Sequence, residues 1–400
     1  MPLFKKCDSL ELLNEMRAKG VYPYFHELES RQDTEVIMEG KRRIMLGSNN
    51  YLGLTVRPEV IEAGVEAMKQ YGTGCSGSRF LNGTLKLHTE LEAELAEFIG
   101  KEFVMTLSTG FQTNLGIISA IVGRSDYVLC DRENHASIYD ACKLSYGTMV
   151  RYKHNDMADL ERQLQKLPID AGKLIVTDGV FSMSGDICKL PEIVALAEKY
   201  KAGTMVDDAH GFGVLGNCGR GTADYFGLTD KVDIIMSTFS KSLASLGGFC
   251  ATSARIGDYI KHTSRPYIFS ASIPPANCAT ALAALRVIKR EPELVQRLTY
   301  LSQYLRSAIK AQGVEIKESD SMVPIVPFYT YDEFNTLAVA KRMYDEGVYL
   351  NPVLPPAAPQ GGCMLRCSLM ATHTEALLDE AAEIIGRVMR EMKVSKDGKQ

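Results

Sequence analysis

The sequence lacks any apolar run that approaches the length a helix needs to span a bilayer, which leaves no candidate for a transmembrane segment. Its first residues, Met1 to Glu11, lack the apolar core of a signal peptide, and their acidic members sit badly with a transit peptide. A cytoplasmic protein is the expectation. There is no basic stripe or polybasic block either: the net charge is -4 with both signs scattered, which argues against nucleic acid or anionic lipid as the principal partner. The ten cysteines include no CxxC pair, and the CxxxC of Cys363 and Cys367 is not a usual zinc spacing, so reduced thiols and no metal site are expected. No internal repeat is present, and low complexity is confined to the loop around Pro355-Pro356-Ala357-Ala358-Pro359. Small molecules, or a second copy of the chain, remain as partners.

With 400 residues, the chain has room for two or three domains and a core large enough to exclude water from an active site. Residues 1–58 read as an arm: an amphipathic helix, a hairpin-like stretch from Glu35 to Leu46, and the loop Gly47 to Gly53. From 59 to 290, apolar β-rich runs alternate with helix-period segments, the pattern of a parallel sheet covered by helices on both faces. A long helical stretch from Pro274 to Gln312 leads into a smaller α+β unit over 291–400. That unit has a strand at Val323 to Tyr329, a helix at Phe334 to Glu346, a Pro-rich loop, a short strand and a last helix. The tail from Val394 reads as frayed.

In an open α/β sheet, ligands bind beyond the carboxyl ends of the strands, and four such ends carry chemistry. Phe103 to Leu107 runs into Ser108-Thr109-Gly110-Phe111 and then the helical run Leu115 to Val122. A glycine turn feeding a helix offers free amides and a positive dipole end to a phosphate, although many such turns are plain connectors. Lys173 to Asp178 leads into Gly179-Val180-Phe181-Ser182, and Gly203 to Val206 into Asp207-Asp208-Ala209-His210. A carboxylate there is costly to desolvate unless it meets a cation such as a protonated ring nitrogen; the plainer reading is a loop-capping Asp. Val232 to Met236 leads into Ser237-Thr238-Phe239-Ser240-Lys241, where a lysine stands among hydroxyls and small residues, an environment that lowers an amine's pKa. A lone loop lysine is usually solvated. Four ends with complementary offers (phosphate, ring nitrogen, ring hydroxyl, aldehyde) weaken the plain readings jointly.

At these residues the sequence resembles the fold-type I pyridoxal 5'-phosphate (PLP) enzymes, and among them the α-oxoamine synthases. The motifs are Asn49-Asn50-Tyr51-Leu52-Gly53, Gly74-Cys75-Ser76-Gly77-Ser78-Arg79, Ser108 to Phe111, His135 to Asp140, Phe181-Ser182-Met183, Asp207 to His210, Thr238 to Lys241 and Leu365 to Ser368. They span nearly the whole chain in the right order. Ser264 to Pro275 and Leu354 to Cys367 are most similar to the branch of soluble bacterial serine palmitoyltransferases. Two departures stand out: Asp208 where Glu is common, and Ala358 for the usual Thr of the Pro-rich loop, which bears on how that loop closes.

The resemblance implies a large domain with a mainly parallel seven-stranded sheet between helices, plus a smaller α+β C-terminal domain. It implies that Lys241 carries PLP as a Schiff base and moves the substrate's α-proton, with Asp207 on the ring nitrogen, His135 stacked on the ring, and Ser182 and His210 at the ring hydroxyl. The phosphate would rest on Gly110, Phe111, Thr238 and Ser240, with Ser270 reaching over from a second subunit of a homodimer with shared active sites. Arg366 would pair with the amino acid carboxylate beside Asn49 or Asn50, and Ser78 would face the partner's site. The activity implied is condensation of L-serine with palmitoyl-CoA, a long-chain acyl-CoA whose delivery leaves room for peripheral membrane contact. Its rivals are synthases joining glycine to acetyl- or succinyl-CoA or alanine to pimeloyl-CoA. A catalytically silent PLP-fold subunit is disfavoured by the presence of Lys241, Asp207 and His210, and a PLP-fold regulator by the lack of a helix-turn-helix segment.

Overall fold

A computed structural model describes residues 2–319, 322–355, 357–359 and 361–395, without the side chain of Leu12. Residues 396–400 of the tail read as frayed lie outside these. The apolar runs of the first two-thirds pair into one sheet of seven strands: β1 (Phe103–Leu107), β2 (Tyr127–Asp131), β3 (Thr148–Tyr152), β4 (Lys173–Asp178), β5 (Gly203–Asp207), β6 (Ile234–Thr238) and β7 (Gly248–Thr252). Their spatial order is β1-β7-β6-β5-β4-β2-β3. Only β7 runs antiparallel, to both β1 and β6. Side-chain alternation divides the core in two, with Val104, Leu129, Ile175, Val206 and Ile235 in one cluster and Met105, Cys130, Leu174, Met205 and Met236 in the other. Burial on both faces is what makes these strands read as continuous apolar runs.

Several elements begin or end elsewhere than their sequence suggests, for local reasons. The helix expected from Leu115 starts at Gly110, because the Thr109 hydroxyl caps it by accepting from the Gln112 amide at 3.1 Å. The strand expected from Val232 starts at Ile234: Asp233 instead exchanges bonds with Thr204, accepting from its amide at 2.8 Å and donating its own amide to the Thr204 hydroxyl at 3.0 Å. The long helical stretch divides into Pro275–Arg290 and Glu293–Ala311, because Glu291 leaves helical geometry ahead of Pro292, which has no amide to continue the ladder.

Beyond that break, strands Ile325–Tyr331, Cys363–Ser368 and Asn351–Val353 form an antiparallel sheet flanked by helices Glu333–Asp345 and Glu375–Glu391. The N-terminal hairpin, Glu35–Met38 with Lys41–Met45, takes Val348–Tyr349 as a third, parallel strand. This pairing brings the loop after the hairpin, with Asn49 and Tyr51, against the strand that carries Arg366. No helix among the described residues is long and apolar enough to cross a membrane.

The sheet meets the helix from Gly110 at Gly248, the first residue of β7. A Cβ there would lie 2.5 Å from the Thr113 hydroxyl, 3.0 Å from the Ser237 carbonyl oxygen and 3.1 Å from the Gly110 Cα. Two of these are backbone atoms and cannot rotate away. Gly248→Ala is therefore expected to cost about 1–3 kcal/mol of stability through overpacking, read as a lower denaturant midpoint with an unchanged slope.

Candidate active site

The carboxyl ends of β1, β2, β4, β5 and β6 open on one cavity of about 280 Å³, lined among others by Gly110, Phe111, His135, Ser182, Asp207, His210, Thr238, Ser240 and Lys241. Three residues with no assigned role from sequence, Asn114, Ser137 and Asp178, line it as well.

Lys241 sits at the start of a tight loop, closed by Phe239 donating its amide to Gly247 and Ala244 donating its amide to Lys241. Burial drives its ammonium group down to about 8; Asp207 and Asp178 oppose that shift, and Arg366 adds to it. Asp207, 4% exposed at the end of β5, accepts from the Asn114 side-chain amide at 2.7 Å and from the Ala209 amide at 3.1 Å. Its register neighbour on β4 is Asp178, whose carboxyl is pushed well above its usual range by burial and by Asp207. Asp178 accepts the His135 amide at 3.1 Å. Asp208, next in sequence, turns to the opposite side and accepts from the Thr222 amide and hydroxyl at 2.8 and 2.5 Å; burial raises it to about 7.

Both cavity histidines are held neutral. Burial lowers the pKa of His135, and Lys241 adds to this against the pull of Asp207. His210 is lowered well below the usual value by burial and by Lys241, Arg366 and His135. The Tyr51 hydroxyl lies 2.6 Å from His210 Nδ1, takes a 3.4 Å hydrogen bond from Arg366 and has Asn49 Oδ1 as an acceptor at 3.4 Å, so it links the histidine to the arginine.

The guanidinium of Arg366 is 3% exposed, donates to Asn49 Oδ1 at 3.0 Å, and forms no ion pair among the described residues. Its Nε has no partner. Asn50 points elsewhere: its amide donates to Thr55 Oγ1 at 2.7 Å. Ser78 and Ser270 do not line the cavity of their own chain; Ser78 Oγ is buried without a partner, and Ser270 Oγ accepts from Gln112 at 3.3 Å.

At the other end of the cavity, Gly110 and Phe111 open the first turn of a helix, with their amides free of intrahelical partners. The hydroxyls of Thr238 and Ser240 stand 3.0 Å apart beside them. A Cβ on Gly110 would come within 2.8 Å of the Thr238 hydroxyl, so the cradle exists only because glycine occupies that place. A phosphate, a ring with a basic nitrogen and an aldehyde together match the cradle, Asp207 and Lys241.

The loop bearing Ser182 is pinned from behind. His154 meets Phe181 edge-on at 4.3 Å and contacts Asp131 at 3.0 Å and Asp186 at 3.4 Å, while Lys317 donates to Asp186 at 2.7 and 2.8 Å. Burial opposes a charge on His154, but hydrogen bonds to the carboxylates of Asp131 and Asp186 outweigh it and raise the ring to about 9.

Two site residues carry no signal of their own in the sequence: Tyr51, inside the Asn49 to Gly53 motif, and Asn114, which lies four residues after Gly110 on the same helix face. Asp178 was legible as a strand end like Asp207.

Residues 41–385 match the family described as aminotransferase class I and II. The chain is 49% identical over 392 residues to a serine palmitoyltransferase of Sphingobacterium spiritivorum, covering 98% of each chain. It is 40% identical over 385 residues to an 8-amino-7-oxononanoate synthase of Thermoanaerobacter pseudethanolicus, covering 96% of this chain and 97% of that one. A solved structure of SPT (serine palmitoyltransferase) with a PLP internal aldimine superposes with a TM-score of 0.95 at 37% identity, covering 98% of this chain and 99% of the other.

The depressed ammonium of Lys241 has a direct consequence. In the cofactor-free protein, its reaction with the aldehyde of added pyridoxal phosphate should rise with pH to half-maximum at about 8. Stopped-flow absorbance should show that midpoint, and Asp207→Asn, which removes the main opposing charge, should shift it to lower pH.

Proposed function

This chain belongs to the aminotransferase class I and II family, and from that premise we propose that it condenses L-serine with palmitoyl-CoA to give 3-oxosphinganine, CoA and carbon dioxide. It is a PLP-dependent enzyme of the α-oxoamine synthase type. The observation that carries the amino acid half of the proposal is Arg366: a buried guanidinium without a counter-ion among the described residues, tied through Tyr51 to the cavity that holds Lys241. A cation so placed is costly until it meets a carboxylate. The names of relatives near half identity over almost the full length support serine and a long-chain acyl thioester.

Bound PLP supplies an aldehyde for the substrate amine and a ring that takes up the electron pair released at the α-carbon. The residues divide the remaining work. Arg366 and Asn49 hold the serine carboxylate, and Lys241, uncharged over part of the neutral range, takes the α-proton at Nζ. Asp207 keeps a proton on the ring nitrogen, while Ser182 and His210 face the ring hydroxyl. His135 covers the ring face and donates from its imidazole to the substrate. Gly110, Phe111, Thr238 and Ser240 hold the phosphate, completed by Ser270 of a second copy in a homodimer whose Ser78 also faces across. In this reading 1–58 is an arm, 59–290 the large domain and 291–400 the small one, in a cytoplasmic enzyme that meets its acyl donor at or near a membrane surface.

Turnover with serine, glycine and alanine against acyl-CoAs of graded length tests the assignment. Serine with palmitoyl-CoA should give the highest kcat/KM; faster product formation from alanine and pimeloyl-CoA would overturn it. Lys241→Ala should abolish turnover, and Arg366→Ala should raise the serine KM by about ten- to a hundredfold, the loss of one charge-assisted pair.

A further inference from the structure

The Asp207 carboxylate and the His135 ring are joined by two buried side chains, and every proton between them can be placed. At one end, the His135 ring caps its own helix: Nδ1 accepts the Ser137 amide at 3.3 Å. A ring nitrogen that accepts from a backbone N–H carries no proton, so in the neutral imidazole the proton is on Nε2. The Ser137 hydroxyl, 2.7 Å from the same Nδ1, must therefore donate to it. Its lone pairs are then free to accept, and Asn114 Nδ2 lies 2.8 Å away. At the other end, Asn114 Nδ2 is 2.7 Å from Asp207 Oδ2. A carboxylate only accepts, which fixes the amide orientation and sends the second amide proton to Ser137. Asn114 is 0% and Ser137 1% exposed, so water does not compete for these bonds.

We infer that Asn114 and Ser137 are positioning residues that lock His135 as its Nε2–H tautomer and tie its ring to the Asp207 carboxylate. The lock has a chemical purpose. It leaves His135 as a donor at Nε2 and denies it the role of base, because protonating Nδ1 would set an N–H against the Ser137 N–H. Burial of the ring and the nearby Lys241 ammonium work in the same direction. A donor fixed over the cavity suits a substrate carboxylate or the carbonyl oxygen that gains charge during condensation. This rests on the proposed function only for what fills the cavity. The tautomer belongs to the chain alone.

The experiment is long-range proton–nitrogen spectroscopy of protein labelled with [15N]histidine, with and without PLP. The seven histidines make the spectrum tractable, and His135→Asn assigns the signal. From about pH 6 to 8, His135 should show an unprotonated Nδ1 and a protonated Nε2. Ser137→Ala, which removes the hydroxyl donor but keeps the backbone amide on Nδ1, should keep the tautomer and raise the pH at which the ring protonates, and Asn114→Ala should raise it to a smaller extent. Ser137→Thr, which keeps the hydroxyl, should restore the original signal. With PLP and serine bound, α-proton exchange in the two alanine variants should slow about tenfold, the value of one neutral hydrogen bond. A wild-type signal with the proton on Nδ1 overturns the inference, as do alanine variants that lose thermal stability yet keep the wild-type protonation midpoint. Should serine prove the wrong substrate while the tautomer behaves as described, the proposed function falls and the lock stands.

Discussion

A carboxylate buried at the end of a central strand is the constraint around which the rest of this structure is arranged. Removing the charge of Asp207 from water costs several kcal/mol even after relaxation, and two hydrogen bonds, from Asn114 and the Ala209 amide, offset only part of that. The remainder needs a cation. Without ligand it is supplied by Lys241, whose ammonium group is favoured by Asp207 while burial works against it. The two groups come from the ends of adjacent parallel strands, so their proximity follows from the β5–β6 pairing. Bound PLP would bring a second cationic partner for Asp207, its protonated ring nitrogen.

Strand alternation then explains how two consecutive acids come to different ends. Asp207 faces the cavity. Asp208, on the other side, is caged where a Cβ on Gly211 or Gly221 would fall within 2.0 or 1.9 Å of its oxygens, and its backbone carbonyl accepts from Gly211 and Phe212. Burial raises its carboxyl to about 7, and its bonds from Thr222 make it an anchor for the turn that presents His210 rather than a group that faces the cavity. Sequence shows Asp207-Asp208 as a pair and says nothing of the division of labour.

What was legible in the sequence was chemistry fixed by chain position: a glycine before a helix, an acid or a lysine just after an apolar run. Parallel strands put such residues at one edge whatever the intervening loops do, which is why Gly110, Ser182, Asp207 and Lys241 group together on chain position alone, while His135 joins them only through resemblance. What was not legible depends on pairs far apart in the chain. Tyr51 acquires a role only when the hairpin loop packs against the strand of Arg366 and within reach of His210, a meeting of three segments that no local pattern encodes. The burial of Arg366, without a counter-ion among the described residues, is likewise a fact of packing. Asn50 and Asn49 are interchangeable in the motif, and the contacts of Asn50 with Thr55 and of Asn49 with Arg366 separate them.

The balance of charge in the cavity finally says what kind of ligand it takes. Asp178 is driven toward its neutral form by burial beside Asp207, and both histidines are uncharged. That leaves Lys241 in the cavity, and Arg366 beside it behind Tyr51, against the charge of Asp207, with the positive end of a helix added at Gly110. A pocket with this surplus is incomplete without anions, and it is short of them in two separate places. One is the helix terminus, where free amides and two hydroxyls suit a phosphate. The other is Arg366, where a planar donor beside Asn49 suits a carboxylate. A ligand set with a phosphate at one end and an amino acid carboxylate at the other satisfies both, and it leaves the lysine between them free to give up its own charge and act as a base.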